Sequence, residues 1–163
     1  MKKLLTLGVI IASLIAVAFW YYSDEKVVLR KSNKLMECFE KKEGDGLLSN
    51  VLSEDKFRDL LDKSVALDFD HKDMPDMKGG IKQERAYLAQ SYLYMMKSAK
   101  YIKLSDQSVE LVSIEDKAAK VKIAVHGEVK HNRKSISSNF TLLLDYSKTD
   151  EGWRISGITV KKE

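Results

Sequence analysis

The side chains best suited to chemistry gather in the middle of the chain. Asp68 and Asp70 alternate along one short segment, and Tyr87, Tyr92 and Tyr94 follow in a segment of helical spacing. Carboxylates and phenols can exchange protons or bind a polar ligand when burial or a neighbouring charge adjusts their pKa. These five residues are therefore the candidate ligand-binding residues. Tyrosines at helical spacing more commonly supply core rings with a hydroxyl at the rim, so no catalytic residue is assigned.

An acidic cluster with one histidine occupies the segment that holds the only proline. Its members are Asp68, Asp70, His71, Asp73 and Asp76. The segment lacks the sixth-position glycine and the closing glutamate of an EF-hand, and the three histidines of the chain have no zinc-ligand spacing. Phosphate loops, dinucleotide glycine motifs and Gly-x-Ser-x-Gly sequences do not occur. The sequence therefore predicts no metal site and no cofactor, and it predicts a solvated loop at residues 71–80.

Four segments in the second half of the chain alternate between apolar and polar residues, as β-strands do. They cover residues 101–114, 119–131, 136–147 and 153–161. In the second, Val121, Ile123 and Val125 share one parity while His126 has the other, so His126 is expected on the solvated face. A bulge near Gly157 would restore the phase of the last strand. The predicted inner face is nearly all hydrocarbon, and it supplies no general acid or base.

Helical patterns precede these strands. Apolar spacing and end signals predict a helix over Asp24 to Glu43, a second from Ser53 that continues through Val65, and a third over Ile81 to Ala99. A short strand is expected through Leu67 and Phe69. Helices grouped before a run of strands are typical of an α+β domain, with one sheet face packed on the helices. Residues 24–163 are interpreted as that single domain.

The N-terminal segment, residues 1–23, predicts a membrane anchor. Residues 4–22 carry no charge, and as a helix they would measure roughly 28 Å, close to the hydrocarbon thickness of a bilayer. The aromatic residues 19–22 suit the membrane interface. A cleavable signal peptide is the alternative, with Ala16-Val17-Ala18 as the cleavage site. Length and the bulky rings beside that site favour a retained anchor, which could continue without a break into the first predicted helix.

Charge around this segment predicts location. Lys2 and Lys3 precede it, so the N-terminus is expected in the cytoplasm. The chain would then cross the inner membrane of a bacterium once, and the domain would lie outside that membrane. Cleavage would instead release the domain into the periplasm. Gly8, Ala12 and Ala16 form a small-residue face through which two helices could associate as a homo-oligomer.

The overall charge argues against nucleic acid as a partner. The formal charge is +4, and without the two lysines before the apolar segment the count is 26 basic against 24 acidic residues, or +2. A chain so nearly balanced lacks the electrostatic footprint of a polyanion-binding protein. We expect the partners to be the membrane, through residues 4–22, and a protein.

The segments LVSIEDKAAKVKIAVHGEV and SNFTLLLDYSKTDEGWRISGITV contain the paired long strands and the terminal strand, which carries the motif Gly152-Trp153-Arg154-Ile155. This pattern resembles the nuclear transport factor 2-like (NTF2-like, SnoaL-like) superfamily over residues 24–161. The resemblance implies a cystatin-like cone: helices packed on a curved antiparallel sheet of about four long strands. Members of that superfamily include isomerases, dehydratases, small-ligand binders and noncatalytic assembly domains, some tethered outside the bacterial inner membrane. No residue role is transferred to this chain, because its strands lack the inward Asp, His and Tyr sets of the catalytic members.

Two functions follow as expectations. The first is a noncatalytic binding or assembly module tethered to the outer face of the cytoplasmic membrane. The alternative is a periplasmic small-ligand carrier or enzyme that uses a cone-shaped pocket containing Asp68, Asp70 or the tyrosines. A filled cone with an exposed apolar surface would favour the module, whereas an open cavity with a carboxylate or histidine at its base would favour the carrier or enzyme.

Overall fold

The computed structural model describes residues 13–14, 17, 19–70, 80–131 and 134–162, with the side chain of Asp70 excluded. Its helices are α1 (Asp24–Phe39), α2 (Leu47–Leu60) and α3 (Arg85–Ser98). Its strands are β1 (Leu61–Asp70), β2 (Ile81–Glu84), β3 (Tyr101–Ile114), β4 (Ala118–His131), β5 (Lys134–Thr149) and β6 (Gly152–Lys162). The architecture is α+β, as predicted.

The six strands form one curved mixed sheet in the order β2-β1-β6-β5-β4-β3. Strands β3 to β6 are the predicted antiparallel meander, and each long strand was expected within a few residues of its observed bounds. The expectation of four strands in a purely antiparallel sheet was incomplete, because β1 adds to β6 in parallel and β2 adds to β1. Parallel pairing between segments so distant in the chain leaves no local periodic signal.

Two helix boundaries differ from the prediction because backbone pairing replaces helical hydrogen bonds. The first helix ends at Phe39 rather than Glu43, since Lys41 exchanges two backbone hydrogen bonds with Ile102, of 2.9 and 3.0 Å. The third helix begins at Arg85 rather than at the predicted Ile81, because residues 81–84 pair with β1 as a strand.

The second predicted helix was displaced along the chain. It begins at Leu47 rather than Ser53, and it ends at Leu60, where Leu61 already adopts an extended conformation and begins β1. Leu61 and Val65 are fully buried on this strand. Their spacing of four residues fits a helix face and one face of a strand equally well, and this is why the sequence pattern ran through the boundary.

The segment before α1 lies mostly outside the described residues, including Gly8, Ala12 and Ala16 of the predicted anchor. None of the helices built from described residues has the length and apolar character needed to cross a bilayer. Residues 19–21 are helical, but Ser23 has an extended backbone, with ψ of 144°, so α1 does not continue them without a break. Ser23 Oγ donates a hydrogen bond of 2.9 Å to the carbonyl of Trp20 at this break.

Candidate functional site

The space between the helices and the concave face of the sheet is filled by apolar side chains. Val121 and Ile123 of β4, Leu144 of β5 and Ile155 of β6 have no exposed surface. The register shifts where Asp145 faces Gly157 and Tyr146 faces Ile155, so Ser156 is the extra residue of a bulge in β6. The predicted bulge is therefore confirmed, and so is the alternation that makes the inner face hydrocarbon.

The opposite face of the same strands carries the polar residues. His126 lies on this outer face, where its Nδ1 is 2.7 Å from Oδ1 of Asn139 and its Nε2 is 2.7 Å from Oγ of Ser137. The side chain is therefore held by two neighbours on β5. The predicted solvated position of His126 is confirmed, and its imidazole does not point into the cone.

One polar pair lies within the filled cone. The hydroxyls of Ser32 on α1 and Tyr146 on β5 are 2.9 Å apart, and Ser32 Oγ also donates to the carbonyl of Val28 at 3.1 Å. Burial raises the pKa of Tyr146, while the hydrogen bond with Ser32 opposes that shift. A buried phenol that is hydrogen-bonded and held neutral joins helix to sheet and does not act as a base at neutral pH.

The three candidate tyrosines do not converge. Tyr92 is 4% exposed, stacks on Phe57 with ring centroids 4.5 Å apart, and donates its hydroxyl hydrogen bond to the carbonyl of Cys38. Tyr87 and Tyr94 lie on the same helix but are 58% and 76% exposed. Tyr92 is thus a core ring with a satisfied hydroxyl, and the other two belong to the surface of α3.

The two candidate aspartates lie on β1, on an element separate from the tyrosines. Asp68 is half-buried and stands opposite Thr159 of β6, while Leu67 beside it packs against the core, so Asp68 belongs to the other face of the strand. Asp70 ends the strand, and its side chain lies outside the described residues, as does the predicted loop at residues 71–79. Within the described ranges, no group of His, Cys, Asp or Glu could hold a metal ion.

A separate cavity of about 370 Å³ opens between α1, α2 and the start of β6. We call it the basic pocket. It is lined by four residues of α1, four of α2 and one of β6: Lys31, Lys34, Glu37, Cys38, Ser53, Lys56, Asp59, Leu60 and Arg154. Only one of these residues comes from the sheet, so the basic pocket is distinct from the filled interior of the cone.

Two half-buried cations line the basic pocket, Lys31 and Arg154. Burial lowers the pKa of Lys31, and the positive charges of Arg154 and Lys34 lower it further, although Asp59 acts in the opposite direction. The Lys31 ammonium donates a hydrogen bond to the carbonyl of Trp153. Arg154 has 18% of its side chain exposed, and its Nε is buried without a hydrogen-bond partner. A buried donor without a partner is costly in free energy.

An apolar surface covers the first half of α2. Leu47, Leu48, Val51 and Leu52 are between 36% and 74% exposed, and we call these four residues the α2 apolar patch. They form two pairs at i, i+4 spacing, so they lie side by side on one face of the helix. Leucine and valine side chains grouped in this way on a solvent-exposed surface are typical of a site that contacts another molecule.

Neither surface was predicted from the sequence, because the candidate ligand-binding residues lie on β1 and α3 instead. Lys31, Lys34 and Cys38 recur at spacings of three and four on α1, and Ser53, Lys56 and Leu60 repeat that pattern on α2. These spacings place Lys31 and Lys34 on one face of α1 and Lys56 on one face of α2, and this is the signal in the sequence that points to the pocket. The contribution of Arg154 required the tertiary structure.

The fold is shared with known structures, although no family model and no curated protein matches the chain. A domain of unknown function with a cystatin-like fold from Nostoc punctiforme is 14% identical and has a TM-score of 0.63, covering 87% of this chain and 78% of its own. A ketosteroid isomerase-like protein from Erwinia carotovora atroseptica is 14% identical with a TM-score of 0.60, covering 86% and 98%. An NTF2-like protein with a cystatin-like fold from Novosphingobium aromaticivorans is 13% identical with a TM-score of 0.56, covering 91% and 87%. The chain therefore has the NTF2-like, cystatin-like fold, and similarity at this level concerns the fold alone.

Proposed function

We propose that the protein is a noncatalytic binding module, tethered to the outer face of the cytoplasmic membrane, that docks a protein partner through α2. The observation that carries the proposal is the filled cone. The fully buried Ile123, Leu144 and Ile155 occupy the space in which a pocket enzyme of this shape would hold its substrate, and the hydroxyl of Tyr146 there is already paired. Among the residues that the structure describes, none places a water-accessible proton carrier in that space, and this supports binding over turnover.

The α2 apolar patch supports docking. Leu48 is 74% exposed and Leu47 is 62% exposed, although both are large aliphatic side chains. Burying an exposed leucine is worth about 1.5–3 kcal/mol, so covering the four residues would contribute usefully to association. The aromatic cluster of Phe39, Phe57 and Tyr92 fixes α2 against its neighbours, with centroids 4.5 to 5.6 Å apart, and so provides a rigid support for the patch.

The residues just before α1 support the tether. Phe19 is 78% exposed and Trp20 is 62% exposed, as expected of aromatic side chains that belong at a membrane interface. Two cations of α1 hold the segment: Lys26 Nζ lies 4.8 Å from the Trp20 ring centroid, and the Arg30 guanidinium lies 3.9 Å from that of Tyr21. Arg30 also donates a hydrogen bond of 2.6 Å to the Tyr21 carbonyl. These contacts would restrict the domain relative to an anchor.

Site-specific photocrosslinking in intact cells tests the docking function. A photoreactive residue at Leu48 should give a discrete adduct in the membrane fraction, and the added substitution Leu52→Asp should abolish it. The same photoreactive residue at Lys122, on the outer face of β4, is the matched control and should give none. Equal adducts from both positions, or no adduct from Leu48, would contradict docking through α2.

A further inference from the structure

We propose that the basic pocket binds a small phosphate monoester, with the phosphate held by lysines of α1 and α2 and by Arg154. This inference goes beyond the docking function, because the pocket and the α2 apolar patch occupy different parts of α2. The pocket is lined by residues 53, 56, 59 and 60, while the patch ends at residue 52. Either assignment can therefore fail without the other.

Charge in the pocket favours a doubly charged anion. Lys31, Lys34, Lys56 and Arg154 contribute four positive charges, and Glu37 and Asp59 contribute two negative ones, which leaves +2. Arg154 also pairs with Glu151 at 3.4 Å, but the Glu151 carboxylate is shared with Arg85 at the same distance. Counting Glu151 and Arg85 together adds one negative and one positive charge, so the net charge stays at +2. A phosphate monoester carries about −1.5 to −2 at neutral pH and matches that balance.

The cations are also poorly neutralised by the protein itself. Among the described residues, no carboxylate forms an ion pair with Lys31, Lys34 or Lys56. Glu37 and Asp59 offset only two of the four positive charges, so the cations still repel one another, and burial makes that repulsion stronger. An anion placed among them would relieve the repulsion and accept charge-assisted hydrogen bonds from these side chains.

The remaining lining indicates the rest of the ligand. Cys38 and Leu60 are 4% and 5% exposed, so they form an apolar floor beneath the charged rim. A volume of about 370 Å³ lies within the range of small-molecule sites and exceeds the need of a bare phosphate ion. The pocket therefore fits a phosphate carried on a small organic group with an apolar part.

Calorimetric titration of the full-length protein in a neutral detergent tests the proposal. Phenyl phosphate should bind, phenol should not, and inorganic phosphate should bind more weakly than phenyl phosphate because it cannot contact Cys38 and Leu60. Glycerophosphoglycerol, the soluble headgroup of a phospholipid, is a phosphodiester of single charge and should also bind more weakly. Equal or tighter binding of that headgroup would overturn the monoester assignment and indicate a lipid source.

Charge-removing variants locate the site. Lys34 and Lys56 are exposed at the rim, so Lys34→Gln and Lys56→Gln should preserve folding, and each should weaken phenyl phosphate binding roughly tenfold, as expected for one charge-assisted contact. Lys122→Gln removes the same charge from the outer face of β4 and should leave the affinity within about twofold, since it loses only long-range attraction. An absence of binding to the unmodified protein, or equal losses in all three variants, would overturn the proposal.

Discussion

At the scale of single residues, the buried thiol and the two buried phenols of the core are held in their neutral forms. Burial raises the pKa of Cys38 to about 11, and burial likewise raises the pKa of Tyr92 and of Tyr146. A thiol and two phenols that stay protonated at neutral pH are structural groups, and they provide neither a nucleophile nor a base. This is why the chemistry sought in the sequence does not arise in the core.

These shifts predict that the protein loses stability in alkaline solution. A group whose folded pKa is raised contributes stability that is complete below its unfolded pKa, here 9.0 for Cys38 and 10.0 for Tyr92, and is lost as the pH rises through its folded pKa. The free energy of unfolding should therefore fall as the pH rises above about 9. Replacing Tyr92 with Phe should make the fall above pH 10 shallower.

Urea unfolding of the full-length protein in neutral detergent, repeated across this pH range, measures the effect. Identical pH slopes for the unmodified and Tyr92→Phe proteins would contradict the burial of that hydroxyl.

The sequence predicted the faces of residues well wherever a single strand decided them. Val121 and Ile123 are buried and His126 lies on the outer face because alternation along one strand is a local property. The basic pocket was not predictable in this way. Lys31 and Arg154 meet only because α1 lies across the start of β6, and no local pattern records that contact.

At the scale of elements, one buried lysine determines how α3 ends. Lys41 is 8% exposed, and its ammonium donates hydrogen bonds to the carbonyls of Met96 and Ala99, the second at 2.7 Å. These carbonyls at the end of α3 would otherwise lack partners, and a cation also suits the negative end of the helix dipole. The same residue pairs with Ile102 through its backbone, so it joins the end of α3 to the edge strand β3.

We expect Lys41→Met to lower the free energy of unfolding by about 1–3 kcal/mol, because it leaves buried carbonyls without donors. The neighbouring Lys42→Met is the matched control. Lys42 is exposed and uses its backbone amide, not its ammonium, to reach Asp45, so its replacement should change stability by less than about 0.5 kcal/mol. Chemical denaturation of both variants measures the difference, and equal effects would show that Lys41 does not support α3.

The elements themselves were predictable to different degrees. The four long strands followed from alternation and turn residues, and the short strand predicted through Leu67 and Phe69 is the second half of β1. The boundary between α2 and β1 was misplaced because Leu61 and Val65 suit either type of element. Residues 81–84 form a strand because β1 offers them an antiparallel partner, and tertiary pairing of this kind overrides local helical spacing. Boundaries set by distant partners cannot be read from a single segment.

At the scale of the whole molecule, the proposed tether would hold a packed domain beside a membrane. The tether predicts that protein extracted from membranes keeps its N-terminal segment and has an intact mass of 18.6 kDa. The length of the apolar segment and the aromatic residues 19–22 are the reasons for expecting retention. Mass spectrometry of the extracted protein checks this, and a species that begins after Ala18 would show a cleaved, freely diffusing domain instead.

A pair of identical substitutions tests most directly whether side chains fill the interior of the cone. Ile123 has no exposed surface, whereas Ile136, on the neighbouring strand, is 64% exposed. If the interior is packed, Ile123→Ala should lower the free energy of unfolding by about 2–5 kcal/mol, because it removes buried methyl groups and leaves a void. Ile136→Ala should change it by less than about 0.5 kcal/mol. Urea unfolding in neutral detergent gives both values, and an Ile123→Ala cost as small as that of Ile136→Ala would reveal a hollow cone and contradict the account.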